Sequence, residues 1–160
     1  MRRVRTVENP ELAMLSEATQ LLSTAQKPER ALAPLVTLVK ERMETDVCSL
    51  YLLEPSGTDL VLAATDGLAP SAVGQVRMHP SEGLTGLVAE ARAPVNVPEA
   101  ARHPRFRYFP ETGEERYHSF LGVPLLRHGT VHGVLVVQTR DARDFSRDEV
   151  RMLAAVGAQL

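Results

Sequence analysis

A single cysteine, Cys48, stands among 160 residues, so no internal disulfide can form and a reducing, cytoplasmic compartment is expected. Cys48 has no cationic neighbour in sequence to hold a thiolate, and it reads as a buried packing residue rather than a nucleophile or redox switch. An excess of one charge is also lacking. With a net charge of −2 the chain offers no field for a polyanion, so nucleic acid is not expected as the main partner. No run approaches the twenty or so apolar residues of a membrane span. The basic start at Met1–Arg5 is followed by Glu8, Asn9, Pro10 and Glu11, which interrupt the apolar core that a signal peptide needs. Neither membrane insertion nor secretion is expected.

Signatures of chemistry are equally sparse. There is no Gly-x-Ser-x-Gly elbow, and Gly83 and Gly86 are not followed by the lysine and hydroxyl residue of a P-loop. His79, His103, His118, His128 and His132 make no metal-ligand spacing with Cys48. No catalytic residue, metal or cofactor is therefore expected.

What is present is a chain 44% hydrophobic and 24% charged. At this length it can bury roughly 70% of its unfolded surface in one core. Asn9-Pro10 is an N-cap with proline at the first helical position, and Leu12, Leu15, Thr19 and Leu22 follow at helical spacing. Lys27-Pro28 breaks this helix, and Ala31, Leu35, Leu38, Val39 and Met43 supply the apolar face of a second. Residues 1–26 are thus read as an N-terminal helical segment for linking or dimerisation, and residues 27–160 as the domain proper.

Val47–Leu53 and Leu60–Thr65, separated by Pro55-Ser56-Gly57-Thr58, predict an antiparallel hairpin. Gln75–His79 predicts a third strand ending at Pro80, and Glu82-Gly83-Leu84-Thr85-Gly86-Leu87-Val88 a short glycine-hinged helix leading to a strand at Pro94–Val97. The amide groups at the start of that helix can face a pocket and bind an anion. Ser119–Leu126 and Gly133–Val137 pair across Arg127-His128-Gly129-Thr130, and the apolar run Val134–Val137 marks a central strand covered on both faces. Ser146-Arg147-Asp148-Glu149 is a capping box opening a last helix with Val150, Leu153, Ala154, Gly157 and Leu160 as its stripe. No C-cap signal stops this helix, so the natural chain is expected to continue.

Between Pro98 and His118 the chain carries prolines, mixed charges and aromatics in an order that suits neither strand nor single helix. Three readings of Arg102–Phe109 stand: base stacking on a nucleic acid, a loop anchored by its aromatics with solvated charges, and one or two bases meeting a ligand anion. The acids Glu99, Glu111, Glu114 and Glu115 weigh against the first.

Thr45–Leu52, His103–Pro110, Glu114-Glu115-Arg116 and Phe120–Pro124, together with the glycine-hinged helix, resemble the GAF superfamily. Within it they are most similar to the sensor domains of nitrogen-related phosphoenolpyruvate–protein phosphotransferases. The resemblance implies an α+β sandwich: a six-stranded antiparallel sheet with N- and C-terminal helices on one face and a loop-capped pocket on the other. It implies a regulatory input rather than an enzyme, joined to a downstream catalytic or output domain that moves phosphate from phosphoenolpyruvate through a histidine. It further implies sensing of nitrogen status through a small polar metabolite such as glutamine or a 2-oxoacid. The Asn-Lys…Phe…Asp-Glu signature of cyclic-nucleotide binders is missing, Cys48 is misplaced for a bilin, and one cysteine does not suffice for a methionine sulfoxide reductase.

The expected ligand contacts are Ser49 and Tyr51 on the first strand, Tyr108 and Phe109 as walls, Glu115 and Arg116 as charged partners, and Ser119 at a strand entry. Alternation along a strand defines two faces without saying which one sees the pocket. A homodimer is expected through Leu12, Leu15, Thr19 and Leu22 of the first helix and Leu153 and Leu160 of the last. The rival readings are a dimerisation scaffold without ligand and the sensor of a transcription activator or kinase.

Overall fold

A computed structural model describes residues 9–112 and 117–160. The first helix, α1 (Pro10–Thr24), starts where the Asn9 side chain accepts the Glu11 N–H at 3.0 Å. It stops at Ala25, which is extended ahead of Pro28, the first residue of α2 (Pro28–Arg42). The chain then runs through β1 (Val47–Leu53), β2 (Leu60–Asp66), β3 (Arg77–Met78), α3 (Gly83–Ala91), β4 (Val95–Val97), β5 (Ser119–Arg127), β6 (Thr130–Thr139) and α4 (Arg147–Gly157). Pro70–Ala72 and Ala100–Arg102 form short 3-10 turns. No helix among the described residues is long and apolar enough to cross a membrane.

The strands form one six-stranded sheet in the order β3-β2-β1-β6-β5-β4, every ladder antiparallel. The apolar run of β6 lies between β1 and β5, and Gly133–Thr139 are buried, because both faces there are covered. The expected third strand shrinks to Arg77–Met78, which pairs only with Leu60 and Val61 at the sheet edge.

Strand alternation sorts the core into two layers. On one face α1, α2 and α4 pack through Met14, Leu35, Val39 and Leu153 onto Cys48, Leu50, Leu121 and Leu135. On the other, Val47, Tyr51, Leu62, Phe120, Val134 and Val136 pack with Met78 and with Leu84 and Val88 of α3. Ala63 is an extra residue in β2, with Leu50 opposite Ala64 and Tyr51 opposite Leu62, so the bulge keeps Leu62 and Ala64 on opposite faces.

Two expectations change here. Leu153 is 0% exposed and belongs to the chain's own core, and Leu160 is half-buried against the same core. The stripe of α4 therefore covers the sheet rather than a second copy. On α1 it is Met14 and Ala18, one turn apart, that face inward, leaving Leu12 64% exposed. Cys48 is fully buried, and burial, helped by the nearby Asp66 charge, pushes its thiol pKa well up, so it is inert packing.

Candidate functional site

The face opposite the terminal helices carries a covered site built around the start of α3. Gly83 enters this helix with φ +67, a backbone region that strains any L side chain. A Cβ on Gly86 would lie 2.8 Å from the carbonyl oxygens of both His79 and Pro80, so glycine lets the helix seat against that backbone. Glu82, the N-cap, makes no side-chain capping bond, and the first-turn N–H groups are left without helical partners.

Segment 103–109 lies over this turn and is tied to both ends of α3. Arg107 pairs with Glu82 and stacks 4.9 Å from the Phe109 ring centroid. Arg105 reaches Glu90 at 3.2 Å and the Pro80 carbonyl at 3.1 Å, while its Nε is buried without a partner among the described residues. Arg105 and Arg107, two of the bases that suggested an anion surface, are thus engaged by acids of the same chain, the anchored reading of this loop.

Beneath the loop, Gly83, Leu84 and Thr85 form one wall, Phe106, Arg107 and Phe109 the roof, and Met78, Phe120 and Gln138 the floor. Ala100 and Tyr117 close the sides, and the Tyr117 hydroxyl donates to the Gly67 carbonyl at 3.1 Å. The cavity measures about 20 Å³. That is room for about one water, against the roughly 300–1,000 Å³ of ordinary ligand pockets. Aromatic side chains fill most of the space, so a metabolite enters only by displacing them.

The residues singled out from sequence scatter around this cavity. Phe109 lines it. Tyr51 and Ser49 lie on the same face of β1 without lining it: Tyr51 is 3% exposed in the core, and the Ser49 hydroxyl meets the Thr65 hydroxyl at 2.9 Å. Tyr108, half-buried, is not among the lining residues. Ser119 has the parity of Leu121 and Val123 and so points to the helix side, where its hydroxyl bonds Thr139 and accepts the Thr139 N–H at 3.1 Å. This corrects the expected pocket position of Ser119. Glu115 and Arg116 lie outside the described residues.

Sequence reasoning missed Gln138, Thr85 and Phe106. For Gln138 the available signal was its parity with Val134 and Val136, a lone polar side chain closing an apolar run. Gln138 and Thr85 are each 6% exposed, and neither side chain has a hydrogen-bond partner among the described residues. Among the described residues no group of three or more His, Cys, Asp or Glu side chains is placed to share a metal ion.

Sheet order, back-face helices and a loop-covered cavity at the start of α3 define a sandwich of the sensory-domain type. The GAF domain profile matches residues 27–160, and the chain belongs to the GAF domain family. It is 36% identical over 149 residues to the phosphoenolpyruvate-dependent phosphotransferase system protein of Escherichia coli K12, covering 93% of this chain and 20% of that protein. To the Nif-specific regulatory protein of Herbaspirillum seropedicae it is 30% identical over 154 residues, covering 92% of this chain and 28% of that protein. The chain thus spans 20% and 28% of the length of these curated relatives.

Among solved structures, the GAF domain of a phosphoenolpyruvate-protein phosphotransferase from Coxiella burnetii superposes with TM-score 0.87 at 35% identity, over 94% of this chain and 91% of that one. Its Acinetobacter counterpart gives 0.85 at 37%, over 96% and 91%. A free methionine-R-sulfoxide reductase from Neisseria meningitidis shares the fold at TM-score 0.79 and 18% identity, over 99% of this chain and 93% of that one.

Proposed function

We propose that this domain is the cytoplasmic, metabolite-sensing input of a larger signalling protein, most plainly a phosphoenolpyruvate–protein phosphotransferase regulated by nitrogen status. The observation that carries the reading is a loop-covered cavity lined by the polar side chains of Thr85 and Gln138, each 6% exposed, with no assembled catalytic group among the described residues. Similarity to phosphotransferase GAF domains supports the setting. A small polar metabolite, such as glutamine or a 2-oxoacid, enters as Phe106 and Phe109 swing aside, and the resulting shift passes through the sheet to α1 and α4. The domain does no chemistry itself. Phosphate transfer from phosphoenolpyruvate through a histidine belongs to the output region.

The 20 Å³ cavity favours a second reading, a scaffold whose interior is filled by its own side chains. Thermal unfolding of the 160-residue chain with amino acids, 2-oxoacids and nucleotides separates the two. A ligand at a hundred times its Kd stabilises a binder by about 2.7 kcal/mol. No response to any class leaves the scaffold.

A further inference from the structure

Helices α3 and α4 pack on opposite faces of the sheet, yet the residues that follow α3 reach toward both ends of α4 around the β4 edge. Arg92, the C-cap of α3, holds φ 54 in the left-handed region, where glycine is the usual residue. What its side chain reaches offsets that strain: the guanidinium donates to the Gly129 carbonyl at 2.6 Å, a charge-assisted bond. Gly129 and His128 form the two-residue turn between β5 and β6, with φ 76 and φ 52, the mirror-image turn that suits a twisted hairpin. Arg127 and Thr130 pair across it, so the turn moves with the strand ends.

The same hairpin end holds the chain that follows α4. The Arg127 guanidinium donates to the Leu160 carbonyl at 3.2 Å, and His132 donates from Nε2 to the same oxygen at 3.3 Å. At the other end of α4 the tie is Asn96 of β4, joined to α3 by Arg92-Ala93-Pro94 alone. Its side chain donates to the Phe145 carbonyl at 2.9 Å and to the Asp144 carboxylate at 3.1 Å, and accepts the Phe145 N–H at 3.4 Å. Phe145 stands immediately before Ser146, the N-cap of α4.

We propose that β4 and the β5–β6 turn form a clasp around the sheet edge by which α3 positions α4. Asn96 sets where α4 starts, and Arg92, acting through the turn, sets where the chain leaves it. Arg92 is a positioning residue and does not line the cavity. A displacement of α3 thereby reaches α4 without passing through the core. The clasp goes beyond the sensing reading and is measured in the free protein, so its failure leaves that reading standing.

The test is amide hydrogen exchange on the full chain in wild type, in Arg92→Gly, in the pair Arg127→Ala with His132→Ala, and in all three changes together. The reporters are Ala158, Gln159 and Leu160, whose N–H groups bond the carbonyls of Ala154, Val156 and Gly157. Arg92→Gly removes the bond to Gly129 while suiting the left-handed cap, so α3 keeps its own protection. The pair should speed exchange at the reporters about fivefold, the equivalent of one net hydrogen bond, and Arg92→Gly about twofold or more. The triple variant should match the pair, because both changes act on one tie. Reporters that exchange in Arg92→Gly as in wild type, a triple variant whose effects multiply, or reporters already unprotected in wild type each overturn the clasp. Asn96→Ala should likewise speed exchange at Glu149 and Val150, which bond Ser146, and unchanged protection there overturns the tie at the start of α4. The Arg92 comparison decides the matter even where Asn96→Ala does not fold.

Discussion

Asp66 shows how one side chain ties the sheet to the helix layer. Its carboxylate accepts from the Lys40 ammonium at 2.9 Å and from the Thr37 hydroxyl at 2.7 Å, binding the end of β2 to α2. The bond to Lys40, then that to Thr37, outweighs burial and holds the Asp66 carboxyl below its usual range, while the same contact raises Lys40. A carboxyl whose pKa is lowered on folding contributes stability that is present above its unfolded value and lost as pH falls through the folded one. Asp66→Asn should therefore cost about 1–2 kcal/mol near neutral pH. The gap to wild type should close as acid protonates Asp66. Urea unfolding of both proteins across the acid range checks this, and a gap that persists in acid would assign the loss to packing instead.

At the scale of elements, α3 is where local sequence and site geometry meet. Gly86→Ala places a methyl against two backbone oxygens that cannot step aside, so the helix must back away from His79 and Pro80. The expected cost is about 1–3 kcal/mol, with the first turn displaced from the cavity. Thermal unfolding reads the first effect and ligand affinity the second. An unchanged melting temperature would show that α3 floats on the loop and does not anchor it. That helix was legible from sequence because its signals are local: two glycines, a following Pro94 and a short strand. The capping box at Ser146 was legible for the same reason, with the Ser146 side chain accepting the Glu149 N–H at 3.1 Å and the Glu149 carboxylate accepting the Ser146 N–H at 3.0 Å. Strand faces were not. Ser119 and Gln138 both look like polar residues at the ends of apolar strands, and only the packed sheet reveals that one faces the helices and the other the cavity. The same ambiguity hid the role of Leu153, because a helical stripe reads alike whether it covers its own sheet or a partner's.

Across the whole molecule, β5 is a direct physical link between cavity and terminal helices. Phe120 lines the cavity, while its neighbour Leu121 lies in the opposite core with Leu153 of α4. A ligand that moves Phe120 also strains this layer, where well-packed neighbours leave little slack. Helices α1 and α4 meet on that back face, with the Thr19 hydroxyl 3.5 Å from the Gln159 side chain. The outward side of α1 remains: Leu12, 64% exposed, lies with half-buried Leu15 and exposed Thr19 along a shallow groove that also includes Gln159. The dimer we propose uses this side of α1 and not α4, since Leu153 is committed to the core. Sedimentation across micromolar concentrations should then show a reversible dimer in wild type. Leu12→Glu should yield monomer with an unchanged melting temperature of the domain core, because Leu12 buries little within its own chain. Wild type that stays monomeric throughout, or a Leu12→Glu variant that still dimerises, would remove α1 from the signalling interface and leave the back of the sheet to pass the ligand state through α4 alone.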